Sequence, residues 1–238
     1  MKECKRFSRL GVAIFIGILS GCATFEPSLR PENLNRPRLA TVKSSQRGLE
    51  VALEEFVTPT KSMEAFDAVV ASYGVLPLLV RVENSGTTNY RLPRGQIKAS
   101  LGEDELALLD ARDAATQGAA RGYAGNALGW TLATGPFALL IAPLTLTASS
   151  AHTASVNKKI EEQFGTLELA DALIRSKQTA AGFVYFKLPP ATWQLDTLLV
   201  EVRPVDDESG EQLVYKFTLP RMEIPVPREM QPRKSQDD

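Results

Sequence analysis

From Gly122 to Asn157 the sequence contains no Asp, Glu, Lys or Arg. A stretch of that length without charge has to be covered, either by the rest of the protein or by lipid, so it restricts the fold more than any other feature of the chain. Its small residues are in register. Ala111, Ala115, Gly118, Gly122, Gly125, Gly129 and Ala133 are spaced mostly 4-3-4-3-4, which places them on one face of a helix. Glycine costs about 1 kcal/mol relative to alanine inside a helix, so a face built from several of them needs a reason. Close approach of another backbone is one. Asp110 and Asp113 stand where such a helix begins, and negative charge there suits the helix dipole. Gly135-Pro136 ends it. A second apolar segment, Phe137 to Leu146, is interrupted by Pro143 and followed by Ala148, Ala151 and Ser155 at helical spacing. Lys158-Lys159-Ile160-Glu161-Glu162 then reads as an exposed helix end, so 110–164 is expected to form a Gly/Ala-rich helical hairpin. Two readings of it stand side by side. Either it packs on itself and on the surrounding domain, or it enters or lies in a bilayer, or self-associates as a glycine zipper through Gly118, Gly122, Gly125 and Gly129. Tyr123 and Trp130 suit a membrane interface and a protein core equally.

Strand patterns flank this segment on both sides. Leu49 to Glu54 alternates apolar with polar or small residues, as a half-buried strand does. Val75 to Glu83 (VLPLLVRVE) is the strongest strand, with Pro77 suggesting an edge or a strand start. Short strands are expected at 88–92, 96–101, 105–109, 165–170, 181–188, 195–202 and 211–219, parted by turn residues such as Asn84-Ser85-Gly86 and Ser209-Gly210. One helix is expected over 62–72, where Met63, Phe66, Val69 and Val70 recur at helical spacing behind Ser62 as N-cap. Many short strands with frequent turns predict a mainly β fold, a sandwich formed by 48–109 and 165–221 with the helical hairpin inserted. Pro27, Pro31 and Pro37 punctuate a polar stretch, so 22–47 reads as a flexible tether able to reach about 80 Å when extended. The Pro-rich, charged 222–238 reads as a disordered tail.

At the N-terminus, Lys2, Lys5, Arg6 and Arg9 precede an apolar run from Leu10 to Leu19. Its length of about ten residues suits a signal-peptide core, whereas a bilayer span needs about 20. Leu19-Ser20-Gly21-Cys22 follows, an aliphatic residue, two small ones and a cysteine. This resembles the lipobox of bacterial lipoproteins. The resemblance implies cleavage of 1–21 and a diacylglyceryl group on the Cys22 thiol, with further acylation such as palmitate. Residues Tyr73 to Asn84 and Gly182 to Phe186 resemble poorly characterised bacterial envelope lipoproteins with an immunoglobulin-like β-sandwich carrying a Gly-rich helical insert. That resemblance implies a fold and an envelope location, and brings no reaction or active-site residues. Ala23 after the cysteine, in place of the Asp that favours inner-membrane retention, implies an outer-membrane lipoprotein facing the periplasm.

Composition bounds the chemistry. The two cysteines are Cys4, which leaves with the signal peptide, and Cys22, so the mature chain forms no internal disulfide. Cleavage removes four cations and one anion, taking the net charge from −1 to about −4, which gives no reason to expect nucleic-acid binding. His152 is the sole histidine and lies in an apolar segment, and no Gly-x-Ser-x-Gly elbow, P-loop or dinucleotide fingerprint occurs. Glu103-Asp104-Glu105 and Asp206-Asp207-Glu208 are better explained as solvated turns than as calcium ligands. The expectation is a non-enzymatic lipoprotein without cofactor, catalytic or metal site. It would be anchored in membrane lipid through Cys22 and act on an envelope protein partner or, through the hairpin, on itself.

Overall fold

The structure, a computed structural model, describes residues 25–36, 40–120 and 154–227. The chain is mainly β, with antiparallel sheets and few helices. In chain order the strands of its first half are β1 (Val42–Gln46), β2 (Leu49–Glu55), β3 (Val75–Asn84), β4 (Tyr90–Leu92), β5 (Ile97–Leu101), β6 (Asp104–Glu105) and β7 (Leu108–Leu109). The second half supplies β8 (Ala172–Ile174), β9 (Thr179–Lys187), β10 (Gln194–Leu195), β11 (Leu198–Val202), β12 (Val205–Asp206), β13 (Tyr215–Thr218) and β14 (Met222–Glu223). Helix α1 spans Pro59–Phe66, α2 spans Ala111–Ala114 and widens to π spacing over Ala115–Ala120, and α3 covers 154–167.

A five-stranded sheet in the order β1-β2-β3-β9-β7 and a four-stranded sheet in the order β13-β11-β5-β6 carry the core. Side chains alternate across a strand, and here both sets are used. Leu76, Leu78, Val80 and Val82 of β3, with Val184 and Phe186 of β9, join Ile97, Ala99, Val200, Val202 and Phe217 of the four-stranded sheet in one apolar cluster. Val75 and Leu79, with Phe183 and Tyr185, point the other way into a second cluster. That second cluster is closed by α1, α2, α3 and the N-terminal segment through Phe66, Ala114, Phe164 and Leu29. Burial on both faces is why the run from Val75 to Val82 reads as almost continuously apolar.

The hairpin joining β1 and β2 turns at Arg47 and Gly48, both with positive φ (50° and 79°), the twist a two-residue turn needs. Pro77 lies in a central strand. Its carbonyl accepts from Phe56 N at 3.1 Å, one residue beyond the last β2–β3 pair at Glu55 and Leu78. The missing N–H therefore falls where that ladder has ended, a strand-start position rather than an edge.

Several expectations are corrected. Residues 165–170 are not a strand. Ile160, Phe164 and Leu167 recur at helical spacing and are all buried, so α3 runs on to 167, and Leu169 N then bonds Phe183 O at 2.9 Å. Ser62 is not an N-cap. The helix starts at Pro59 behind Thr58, as a proline with preset φ favours. Ser62 is buried inside the helix, where its Oγ donates to Ala68 O at 2.7 Å and accepts from Val70 N at 3.2 Å. Helix α1 ends at Asp67 in a left-handed turn (φ 50°), leaving Val70–Tyr73 as a separate 3-10 turn. The 22–47 stretch is not a free tether over its described part, because Leu29 and Leu34 are 2% and 3% exposed and Val42–Gln46 is strand β1. The 222–238 stretch likewise begins in order. β14 pairs with β10, Ile224 N donates to Trp193 O at 2.9 Å, and Ser72 Oγ donates to Pro225 O at 2.6 Å. Of the expected hairpin, only its two ends, through Ala120 and from residue 154, fall among the described residues.

Candidate functional site

The three residues after Cys22 bring the chain to Phe25, and there it is already bound to the body. The last four carbonyls of a helix lack intrahelical donors, and the N-terminal segment supplies donors to α1. Ser28 N and Leu29 N both donate to Glu64 O, at 2.9 and 2.8 Å. Glu26 N donates to Asp67 Oδ2 at 3.0 Å, on the residue that terminates the helix. Gln163 of α3, itself buried, donates from Nε2 to Leu29 O at 3.0 Å and to Ala65 O at 3.1 Å. One amide thus ties the N-terminal segment, α1 and α3 together.

Beneath these bonds lies an aromatic cluster. Phe66 packs on Phe164 and Phe183 with ring centroids 4.6 and 5.1 Å apart, and Phe183 meets Phe56 edge-on at 4.7 Å. Tyr185 donates its hydroxyl to Phe164 O at 3.1 Å, and burial holds its pKa well above the usual phenol range. Phe25, half-buried, packs against the rim of this cluster, as does Val156 near the start of α3.

Helix α2 reaches the same end of the molecule. Asp110 caps it, accepting from Asp113 N at 2.7 Å. Its continuation passes the start of β3, where Gln117 Nε2 donates to Gly74 O at 2.9 Å. A Cβ placed on Gly118 would lie 3.0 Å from Val70 Cβ and 3.3 Å from Val75 Cγ2, so the first glycine of the small-residue face lies against the 3-10 turn and β3. Leu19, Ser20, Gly21, Cys22, Gly122, Gly125, Gly129 and His152 lie outside the described residues.

The acidic runs lie at hairpins, Glu103 in the turn before β6 and Asp207-Glu208 in the turn after β12. Asp206 accepts from Ser209 N and Glu208 N at 3.0 and 2.9 Å, which lowers its pKa. Among the described residues no group of three His, Cys, Asp or Glu side chains is placed to hold a metal ion. A buried charged cluster lies beside α1, where Lys61 Nζ is 2.9 Å from Glu55 Oε2 and 3.4 Å from Glu54 Oε1, and Thr41 Oγ1 also donates to Glu55. Its groups satisfy one another and clamp β2 to the helix. Tyr185 and Phe186 divide between the two clusters as packing residues. What sequence reasoning missed is the docking set of Leu29, Leu34 and Gln163. Two leucines among prolines show no periodicity, and the buried Gln163 sits beside the charged Glu161 and Glu162.

No family model matches the chain, and no curated protein matches it in sequence. A solved structure of a candidate lipoprotein, YcdA from Bacillus subtilis, aligns at 12% identity with a TM-score of 0.35, covering 76% of this chain and 39% of that one. The chain therefore spans less than half of that protein, and a superposition so loose does not define a shared fold. Among the described residues no helix is long and apolar enough to cross a membrane.

Proposed function

We propose that this protein is a bacterial envelope lipoprotein, cleaved before Cys22 and held by lipid on that thiol, which works without catalysis as an interaction or assembly module. Its body is an immunoglobulin-like sandwich with an inserted helical hairpin, and its location is the periplasmic side of the outer membrane. The observation that carries this reading is the order of features at the N-terminus: a basic segment, a short apolar run, Leu19-Ser20-Gly21-Cys22, and then a folded body beginning at Phe25. A single acyl chain anchors only marginally, whereas two or more hold a protein stably. The test is metabolic labelling with a radioactive fatty acid followed by membrane fractionation. The wild type takes up label and sediments with membranes, and Cys22→Ser loses both. Continued processing and retention in Cys22→Ser sinks the proposal. Crosslinking in intact cells separates partner from self-association. Adducts with other envelope proteins support the module reading, and ladders of self-adducts through the Gly118–Gly129 face transfer the function to the hairpin.

A further inference from the structure

The described residues next to Cys22 and those that lead toward the charge-free stretch lie at one end of the five-stranded sheet. Register along the five-stranded sheet gives the levels. β3 runs ten residues from Val75 to Asn84, about 30 Å at the usual rise. At its Val75 end lie the 3-10 turn Val70–Tyr73, Gly118 against Val70 and Val75, and Gln117 bonded to Gly74 O. Leu109 of β7 pairs with Tyr185 opposite Pro77, so α2 travels from there toward the Val75 end before the described chain stops at Ala120. The N-terminal segment reaches the same end. Glu26 is bonded to Asp67, which precedes Val70 by three residues, and the Ser62 hydroxyl ties Ala68 to Val70.

The other end is built differently. Asn84 is fully buried there, donating to Thr88 O at 2.7 Å and Ile174 O at 3.1 Å and accepting from Gly86 N at 3.1 Å. Ser176 Oγ donates to Gly86 O at 2.6 Å, and Arg47 pairs with Glu211 at 2.6 Å. The loops around 85–88, 175–178 and 206–211 are thus bound into one polar cap.

From these placements we infer that the body is held directly on the lipid surface with the Val75 end of the sheet facing the bilayer and the polar cap facing away. The inference rests on the lipid-anchor reading of Cys22. Four residue steps separate Cys22 from Glu26, a reach of about 14 Å however those residues run, so a body fixed at Glu26 stays within that distance of its lipid. Exposed Met63, one turn before Asp67, is an apolar side chain suited to that contact at 43% exposure.

The experiment uses the mature lipidated chain in phosphatidylethanolamine and phosphatidylglycerol vesicles carrying a headgroup quencher. Cys22 is acylated and Cys4 is removed, so an introduced cysteine is the one free thiol. A fluorophore on Ser28→Cys or Met63→Cys is expected to be quenched at least threefold more than one on Ser209→Cys. Inserting about 20 Gly/Ser residues between Thr24 and Phe25, a root-mean-square reach of about 25 Å, should erase the difference. Flotation with vesicles but equal quenching at 28, 63 and 209 overturns the orientation alone. Failure to float overturns the anchor reading and the orientation with it.

Discussion

The two faces of the five-stranded sheet are both buried, yet by different means. One face packs on strands β5, β11 and β13, which are themselves short alternating segments. The other is covered by α1, α2, α3 and a Pro-rich segment with no periodicity at all. The difference teaches that the described ends of 110–164 and the N-terminal stretch belong to the core of this β fold and are not appendages to it. Val75, Leu79, Phe183 and Tyr185 are at most 3% exposed only because those pieces lie on them.

The most severe way to break that comparison is to cut the same aromatic from each face. Phe186→Ala removes a ring from the sheet–sheet core and Phe164→Ala removes one from the helical cover, and both are buried to within 1%. A buried Phe→Ala change costs about 3–5 kcal/mol, and both variants are expected in that range by urea denaturation. A loss below about 1 kcal/mol for Phe164→Ala alone, well under the usual range for a buried ring, means the helical layer is peripheral and the two faces are not equivalent.

The N-terminal segment is tested next. Leu29→Ala is expected to cost about 2–3 kcal/mol, the lower part of the range for buried leucine, since the site lies near the surface and collapses more readily. A variant as stable as wild type in chemical denaturation returns 25–36 to the status of a tether, and the inferred closeness to the bilayer falls with it.

Legibility in the sequence follows the same division. β2, β3, β5, β9 and β11 were readable because alternation or unbroken apolar runs leave a period-2 or β-branched signature. The helical cover was harder for physical reasons. Its bonds join residues far apart in sequence, such as Gln163 to Leu29 and Ala65. Helix α1 was found but starts three residues earlier and ends six residues sooner than the expected 62–72, because Ser62 looks like a cap whether its hydroxyl faces an exposed N-terminus or a buried carbonyl. Strand 165–170 was expected as a short segment after the insert, whereas Phe164 and Leu167 belong to a helix that ends before Leu169. In the candidate site, Asp110 as a helix start was legible, and the docking role of Leu29 and Leu34 was not.

A smaller effect probes the seam where cover and sheet meet. A Cβ on Gly182 would lie 2.5 Å from Leu169 Cα and 2.6 Å from its nitrogen. No side chain can yield there, so Gly182→Ala must push the chain after α3 off β9, weakening the Leu169 N to Phe183 O bond. Overpacking of this kind costs about 1–3 kcal/mol. Hydrogen exchange should quicken at Leu169 while Val200 in the four-stranded sheet keeps its protection. Unchanged exchange at Leu169 would show that the two chains are less tightly apposed than the geometry requires.

The finest comparison is between two tyrosines, one in each cluster. Tyr185 donates to Phe164 O at 3.1 Å, and Tyr215 donates to Leu49 O at 2.7 Å and Gln46 O at 3.3 Å. Burial raises both, Tyr215 to about 12 and Tyr185 well above 10. The neutral phenol is the form the fold holds, whereas an unfolded tyrosine ionises near pH 10. Their contribution is therefore fully present below pH 10 and is lost as pH rises through about 12 for Tyr215 and through the burial-raised range of Tyr185. Thermal melts should show a falling midpoint from about pH 10 upward, the unperturbed phenol value. Replacing either tyrosine by Phe costs about 1 kcal/mol at neutral pH for the lost hydrogen bond, and in exchange flattens the alkaline slope. Tyr185→Phe should flatten it at least as much as Tyr215→Phe, because its phenol is the more completely withdrawn from water. A slope altered by Tyr215→Phe and untouched by Tyr185→Phe would mean that water reaches the helical cover and not the sheet–sheet core, which would reverse the equivalence of the two faces.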